Sequence, residues 1–357
     1  MKQSTLAMLV MAAALGTALG GCASHQQAEA KKSAAERAQA AIEVPDWALQ
    51  PPQRTGMAYG VGSIEVLADP ADAVRRATEL GRIDLVSQLR VTVSGDFSST
   101  TTETRGTGQL TQVQKNVRNH VRSQVNPVEL EDAVLADSDL VNGFAYALVE
   151  LDRAAASARF RRLIGEVESE LDEFVTLMDR ANVDNKAPLD ALRSLLPALD
   201  LFARRDALAS QLELVSQNHT SPALSSEHRA LQQRIYQNLD KLRVVLHPLN
   251  DAAVAMSGDV LEALTEQGLN ISDRDSSADL VMDLTTELSD KQQNGRVYVF
   301  ANSRLTIRDA SGRALSSFNQ TAKGVSGLED LARQKAASAV AEQLGNELAA
   351  TLVDKLR

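Results

Sequence analysis

The sequence predicts an α+β protein: two small two-layer α/β sandwich domains joined by a helical hairpin or bundle, with a tether ahead of them. Three observations predict it. Segments of two-residue and of three-to-four-residue apolar periodicity alternate over about 45–152, and they do so again over 241–357. Residues 153–240 between them carry helical periodicity only. Ahead of all this, an apolar run leads to Cys22, the single cysteine, and then to a polar stretch without large apolar residues.

Composition narrows the function classes. The 357 residues carry a net charge of −10, with Lys and Arg scattered. That argues against a nucleic-acid binder, which needs a basic stripe, and against an electrostatic membrane patch. Aromatics are only 3% of the chain, so cores must be built from Leu, Val, Ile and Ala.

Lys2 is followed by the apolar run Leu6 to Leu19 and the small residues Gly20 and Gly21. This is the order of a secretory signal over residues 1–21: charged start, apolar middle, small residues at the cut. The run is short for a membrane span of about 20 residues. Leu19-Gly20-Gly21-Cys22 resembles the lipobox of bacterial lipoproteins, which implies cleavage before Cys22 and lipidation of its thiol and new N-terminus. The alternative is a chance cysteine behind an ordinary signal peptide. Each buried CH₂ adds about 0.8 kcal/mol, so two or more chains anchor stably where one does not. Ala23 and Ser24 follow the cysteine. An Asp there resembles an inner-membrane retention signal, and its absence points to the outer membrane, periplasmic side. An acylated Cys22 leaves no thiol for a disulfide. Residues 22–44 form a lipidated N-terminal tether too poor in apolar residues to fold alone. Ala23 to Ile42, fully extended, reach on the order of 65–70 Å.

The first domain spans 45–152. Pro45-Asp46-Trp47 opens it, and Met57 to Val66 read as a strand whose Gly60 and Gly62 permit close approach. Gly60-Val61-Gly62 lacks the third glycine of a dinucleotide loop. Asp69-Pro70 starts a helix with Ala73, Ala77, Leu80, Gly81, Leu85 and Leu89 on one face. Arg90 to Gly95 alternate as a strand, and a polar run covers Ser98 to Thr104. A helix follows around Val113, Val117, Val121 and Val125. Leu130 to Ala136 and Phe144 to Leu151 read as two strands joined at Asn142-Gly143.

These residues resemble the LPP-twenty lipoprotein family: Pro45-Asp46-Trp47, Tyr59-Gly60-Val61-Gly62, the Ala-rich helix running into Leu89-Arg90-Val91-Thr92-Val93, and Tyr146 to Asp152. The resemblance covers about 45–152. The family includes flagellar outer-membrane lipoproteins and has no catalytic set to carry over. It implies an envelope lipoprotein that assembles with protein partners, and its ring-forming members imply a homo-oligomer.

In the middle region, 153–240, Arg153 to Ala181 form a helix with Phe160, Ile164, Val167 and Leu171 on one face and acidic residues opposite. Those carboxylates read as solvated surface rather than a catalytic pair. Asn182 to Lys186 read as a loop. Leu189 to Leu208 continue as helix, broken at Pro197. Ser221-Pro222 open a third helix through Leu231, Ile235 and Leu239. Arg159, Arg161, Arg162, Arg204 and Arg205 form basic spots, read as solvated helix face or partner contacts.

The C-terminal domain, 241–357, begins with a strand at Leu242 to Leu246 and a helix from Ala252 to Gln267 that Gly268 ends. Leu269 to Ile271 and Ala278 to Leu288 read as strands. Turns at Asn294-Gly295 and Ser311-Gly312 give an antiparallel meander with Val297, Val299 and Ala301 on one side. A final helix from Leu328 carries Leu331, Val340, Leu344, Leu348, Leu352 and Leu356 as its stripe, interrupted by Gly345. By element order this domain loosely resembles those of outer-membrane lipoproteins that act in assembly and synthase activation.

Chemistry is sparse. His25, His120, His219, His228 and His247 show no metal-ligand spacing. Asp273-x-Asp275-x-Ser277-x-Asp279 opens like a calcium loop, but Ala278 and Leu284 stand where that loop needs Gly and Glu. No serine elbow or phosphate loop occurs. The expectation is no catalytic residue, no cofactor, no metal and no nucleic-acid partner. It is a non-catalytic outer-membrane lipoprotein scaffolding envelope proteins, flagellum-associated among other roles. The alternatives are an activator of a peptidoglycan synthase or transport machine, and a cryptic hydrolase.

Overall fold

A computed structural model of the chain describes residues 44–97, 110–125, 130–183, 188–272 and 278–356. Leu19, Gly20, Gly21 and Cys22, the tether up to residue 43, Ser98 to Thr104, and Asp273, Asp275 and Ser277 lie outside the described residues. The fold is α+β, as the alternating periodicities predict. The elements are α1 (Asp46–Leu49), β1 (Met57–Glu65), α2 (Pro70–Phe97), α3 (Gln112–Gln124), β2 (Val134–Val141), β3 (Phe144–Asp152) and α4 (Arg153–Val183). They continue with α5 (Pro188–Leu195), α6 (Ala198–Val215), α7 (Ser226–Lys241), β4 (Arg243–Pro248), α8 (Asp251–Glu266) and β5 (Asn270–Ile271). The last are β6 (Leu280–Gln293), β7 (Arg296–Asp309), β8 (Ala314–Ser326) and α9 (Glu329–Leu356).

The chain divides into two compact units that do not coincide with the spans 45–152, 153–240 and 241–357. Of the described residues, the smaller takes 44–53, 59–86 and 135–150, and the larger takes the rest. The helices of 153–240 share one continuous core with the C-terminal sheet, so they are not a separate bundle. Residues Val113, Val117 and Val121 of α3 join that same core.

In the smaller unit the strands run in the order β1-β3-β2. The apolar face of α2 lies on the glycines of β1. A Cβ on Gly60 would stand 2.2 Å from the Gly81 carbonyl oxygen, and one on Gly62 1.9 Å from that of Ala77. This is the close approach that the Gly60-Val61-Gly62 spacing predicts. A cluster of Ala73, Ala77, Ala145 and Ala147 lies buried beside it, because backbones this close leave no room for larger side chains. Leu80 departs from the expected face and is exposed. Asn142 (φ 51°) and Gly143 (φ 79°) make the two-residue turn with both φ positive that fits the strand twist. That turn requires β2 to run up to Val141, so the strand lies later than Leu130 to Ala136. β2 is an edge strand, exposed through Leu140; the carboxylates of Asp137 and Asp139 accept from the N–H groups of Ser138 and Leu140, each at 2.8 Å.

Arg90 to Gly95 are helix, not strand: α2 continues through them to Phe97. Extending an existing helix fixes one residue per added hydrogen bond, which outweighs a weak β preference in Val91, Thr92 and Val93.

In the larger unit, Arg153 opens α4 and its guanidinium holds the end of α6, donating to the carbonyls of Val215 (2.8 Å) and Ser216 (2.6 Å). It thereby answers carbonyls that a helix C-terminus leaves without partners. Burial pushes the Arg153 pKa down. α4 continues through Asn182 to Val183, two residues into the expected loop. Pro197 separates α5 from α6, as its missing N–H predicts. α7 begins at Ser226 rather than at Ser221-Pro222, because the Ser225 hydroxyl accepts from the His228 N–H and supplies the N-cap.

The five strands run β5-β4-β6-β7-β8, with β4 parallel to β5 and β6 and the last two pairs antiparallel. Asn294 and Gly295 turn β6 into β7 with φ 52° and 71°. Helices α8 and α9 pack on one face of this sheet. The buried stripe of α9 is Ala332, Ala336, Val340, Leu344, Leu348, Leu352 and Leu356; Leu331 is 42% exposed. Alanines replace leucines at the start of the stripe because β8 approaches there at Gly324, whose Cβ would stand 1.9 Å from the Ala332 carbonyl oxygen. Gly345 faces Ala263 of α8 less tightly; a Cβ there would stand 3.3 Å from the Ala263 Cβ.

One polar pair sits inside this apolar layer. Thr286 and Ser303 are 1% and 0% exposed, and their hydroxyls lie 2.8 Å apart. Removing one partner orphans the other at a cost of about 1–3 kcal/mol, whereas removing both is nearly neutral. Accordingly Ser303→Ala or Thr286→Val alone lowers stability in urea unfolding by that amount. The double variant recovers most of it. Additive losses would show that the hydroxyls do not depend on each other.

Candidate functional site: the open sheet face

Strand alternation that buries Val297, Val299, Ala301, Leu305 and Ile307 sends Tyr298, Phe300, Asn302, Arg304 and Thr306 to the opposite face. Register then assembles cross-strand rows. Thr285, Arg304 and Asn319 form one; Glu287, Asn302 and Thr321 form the next; Ser289, Phe300 and Lys323 the third. Arg304 donates to the Asn319 side-chain oxygen at 2.8 Å, Thr306 and Ser317 hydroxyls lie 3.1 Å apart, and Thr321 donates to Asn302 at 3.4 Å. Thr285, Glu287, Asn302, Arg304 and Asn319 line an open groove of about 390 Å³. Past it, Phe300 is 38% exposed, and Lys323 lies 5.9 Å from the Tyr298 ring centre.

The charge of this face is opposite to that of the chain. β6, β7 and β8 place Lys291, Arg296, Arg304, Arg308 and Lys323 on it. Asp283 and Glu287 are the carboxylates they set against these cations, and Asp283 is engaged with Arg308 at 2.7 Å. The sequence signal was available in the polar positions alternating along β7; the apolar half of the alternation alone marks the strand.

The other residues singled out by sequence do not converge here. Arg205 is 5% exposed and joins Glu168 (2.8 Å) and the Pro222 carbonyl, so it is a core ion pair rather than a surface spot. Arg159 reaches Glu131 and Asp132, Arg162 reaches Glu166, and Arg204 lies 4.0 Å from Glu170. His228 is buried with Nε2 2.8 Å from Asp172. Its Nδ1 is buried with no hydrogen-bond partner among the described residues, and the Ser225 hydroxyl accepts the backbone N–H of His228 at the N-cap of α7. His120 meets Asp354 at 2.8 Å, and His247 lies 3.7 Å from Asp283. Asp279, the described member of the calcium-like run, accepts from Arg243 at 2.9 and 3.2 Å. Among the described residues no group of three or more His, Cys, Asp or Glu is placed to hold a metal, and no helix is long and apolar enough to cross a membrane.

Asp309 ends β7 and organises the turn to β8. The Ser311 hydroxyl and the N–H groups of Ser311 and Arg313 donate to it, and these bonds, the hydroxyl first, hold its carboxyl below the usual carboxylate range. A carboxylate depressed in the folded state stabilises above its unfolded pKa of about 3.9 and loses that contribution as pH falls through the folded value. The stability gap between the wild type and Asp309→Asn is therefore constant above about pH 5 and narrows below about pH 4. A gap that does not change with pH in acid titrations of denaturation midpoints would remove this role.

No protein-family model and no curated protein matches the chain. Solved structures similar to it include secreted proteins and lipoproteins. The secreted protein HP1454 from Helicobacter pylori is 15% identical, with a TM-score of 0.46 over 84% of this chain and 98% of that one. A minor lipoprotein from Acinetobacter baumannii is 16% identical, with a TM-score of 0.24 over 31% of this chain and 90% of its own. The PelC dodecamer from Paraburkholderia phytofirmans is 16% identical, with a TM-score of 0.24 over 37% and 93%.

Proposed function

We propose that the chain is a lipoprotein held through Cys22 at the periplasmic side of the outer membrane, where it acts as a non-catalytic assembly or scaffolding module of the cell envelope. The observation that carries this reading is the order Lys2, apolar Leu6 to Leu19, Gly20, Gly21, Cys22. The resemblance of 45–152 to the LPP-twenty lipoproteins supports it and extends it to self-association and to protein partners in the envelope. The placement of the chemically versatile side chains also supports it: His228 and Arg205 bind neighbouring helices together.

Cys22→Ser tests the anchor. The variant loses both labelled palmitate and sedimentation with outer-membrane fractions. Retention of either would show that Cys22 is not the attachment point. A second reading, activation of a peptidoglycan synthase, is favoured by the open face of β6–β8, which leaves a built surface facing outward. Failure of the purified chain to stimulate glycan polymerisation by a synthase would sink it.

A further inference from the structure

We infer that the open face of β6–β8 is a binding site for an anionic glycan. Cys22 plays no part in this inference, which stands or falls apart from the lipid anchor.

Three features of the face select that ligand. The first is charge. In a chain of net charge −10, this face gathers five cations against two carboxylates, one of which is already paired with Arg308. An anion is drawn to the face and repelled by most of the remaining surface.

The second is the mixture of donors and acceptors in the groove. Asn302 and Asn319 offer amides, Arg304 a guanidinium, Thr285 a hydroxyl and Glu287 a carboxylate. A fully ionised inorganic anion offers no donor to those acceptors. A chain of sugar hydroxyls donates and accepts at each residue, so it satisfies both kinds of group. An acidic peptide in extended form pairs with a strand edge, such as the outer edge of β8, and not with the side-chain face on which the groove lies.

The third is the aromatic row beyond the groove. Phe300 and Tyr298 lie on the same face as the polar rows, with Lys323 beside them. Ring faces pack against sugar C–H groups, and the adjoining cation meets a carboxylate on the next unit. The rows repeat along the strands, so the ligand is an extended polymer rather than a single sugar.

The test is titration of the purified full chain with a uronic-acid oligomer, with a neutral glucose oligomer, polyglutamate and phosphatidylglycerol vesicles as comparison probes. The uronic-acid oligomer binds, and its affinity falls as salt rises. Arg304→Ala and Asn302→Ala each weaken it about tenfold or more, equivalent to about 1.4 kcal/mol. Phe300→Ala weakens it without changing the salt dependence. These positions are on the solvent face, and thermal melting of each variant confirms an intact fold. Equal or tighter binding of polyglutamate or vesicles would overturn the assignment. So would absence of uronate binding, or binding that Arg304→Ala and Asn302→Ala leave unchanged.

Discussion

Gly324→Ala unfolds the larger unit at markedly lower denaturant, losing at least about 3 kcal/mol, the upper end of what overpacking costs. Local preference runs the other way, since Gly is among the poorest strand residues and any side chain improves β8 by up to about 1 kcal/mol. The clash decides the sign. The new Cβ would lie 1.9 Å from the Ala332 carbonyl oxygen and 2.6 Å from the Ala336 nitrogen. Both are backbone atoms of α9, so no rotamer change relieves them. The helix has to lift, and its stripe through Val340, Leu344 and Leu348 is the inner layer of the shared core. Urea unfolding followed by helix content measures the loss. A midpoint within error of the wild type would mean that α9 is not seated on β8.

Gly62→Ala produces a loss of the same origin confined to the smaller unit. Its Cβ would stand 1.9 Å from the Ala77 carbonyl oxygen and 2.4 Å from the Gly81 nitrogen. α2 has to retreat by about 1 Å, and a gap of that size forfeits a quarter to a half of the dispersion contacts across it. The contact cannot yield locally, because the cluster beside it is four alanines with no longer side chain to repack. Hydrogen exchange distinguishes the two variants. In Gly62→Ala the amides of β1 and of β3 up to Glu150 lose protection, while those of α9 keep it. Loss of protection in α9 to the same degree would show that the chain unfolds as one body instead of two.

These two glycines also mark what the sequence made legible. Gly60 and Gly62 stood out because they alternate within an apolar strand ahead of an alanine-rich helix, so both partners of the contact were readable. Gly324 sits in a polar stretch, Thr321 to Ser326, and its partner α9 looked like a leucine helix. Leucine periodicity draws the stripe through Leu331, whereas close approach demands Ala332 and Ala336. Type of element was readable wherever period and turn residue agreed, as at Asn142-Gly143 and Asn294-Gly295. It failed at Arg90 to Gly95, where β-branched residues extend a helix already under way. Unit boundaries were not readable, because α3 and the helices of 153–240 join the C-terminal core through contacts distant in sequence. The open face was missed for another reason. The apolar half of each strand's alternation marks the strand, whereas the charge inversion lies in the other half and emerges only when register brings β6, β7 and β8 together. The proposed anchor at Cys22 is the opposite case, since every residue that argues for it lies within Lys2 to Cys22.

The exposed strand β2 has a consequence for how the protein behaves when crowded. An edge strand free on its outer side is a template on which further strands stack without limit. Asp137 and Asp139 close this one, each spending its carboxylate on the next residue's N–H. A strand added there would bury two negative charges and find two donors already taken. Dense packing of many copies therefore does not turn this edge into a seed for fibrils, and neutralising both acids as Asn is what would.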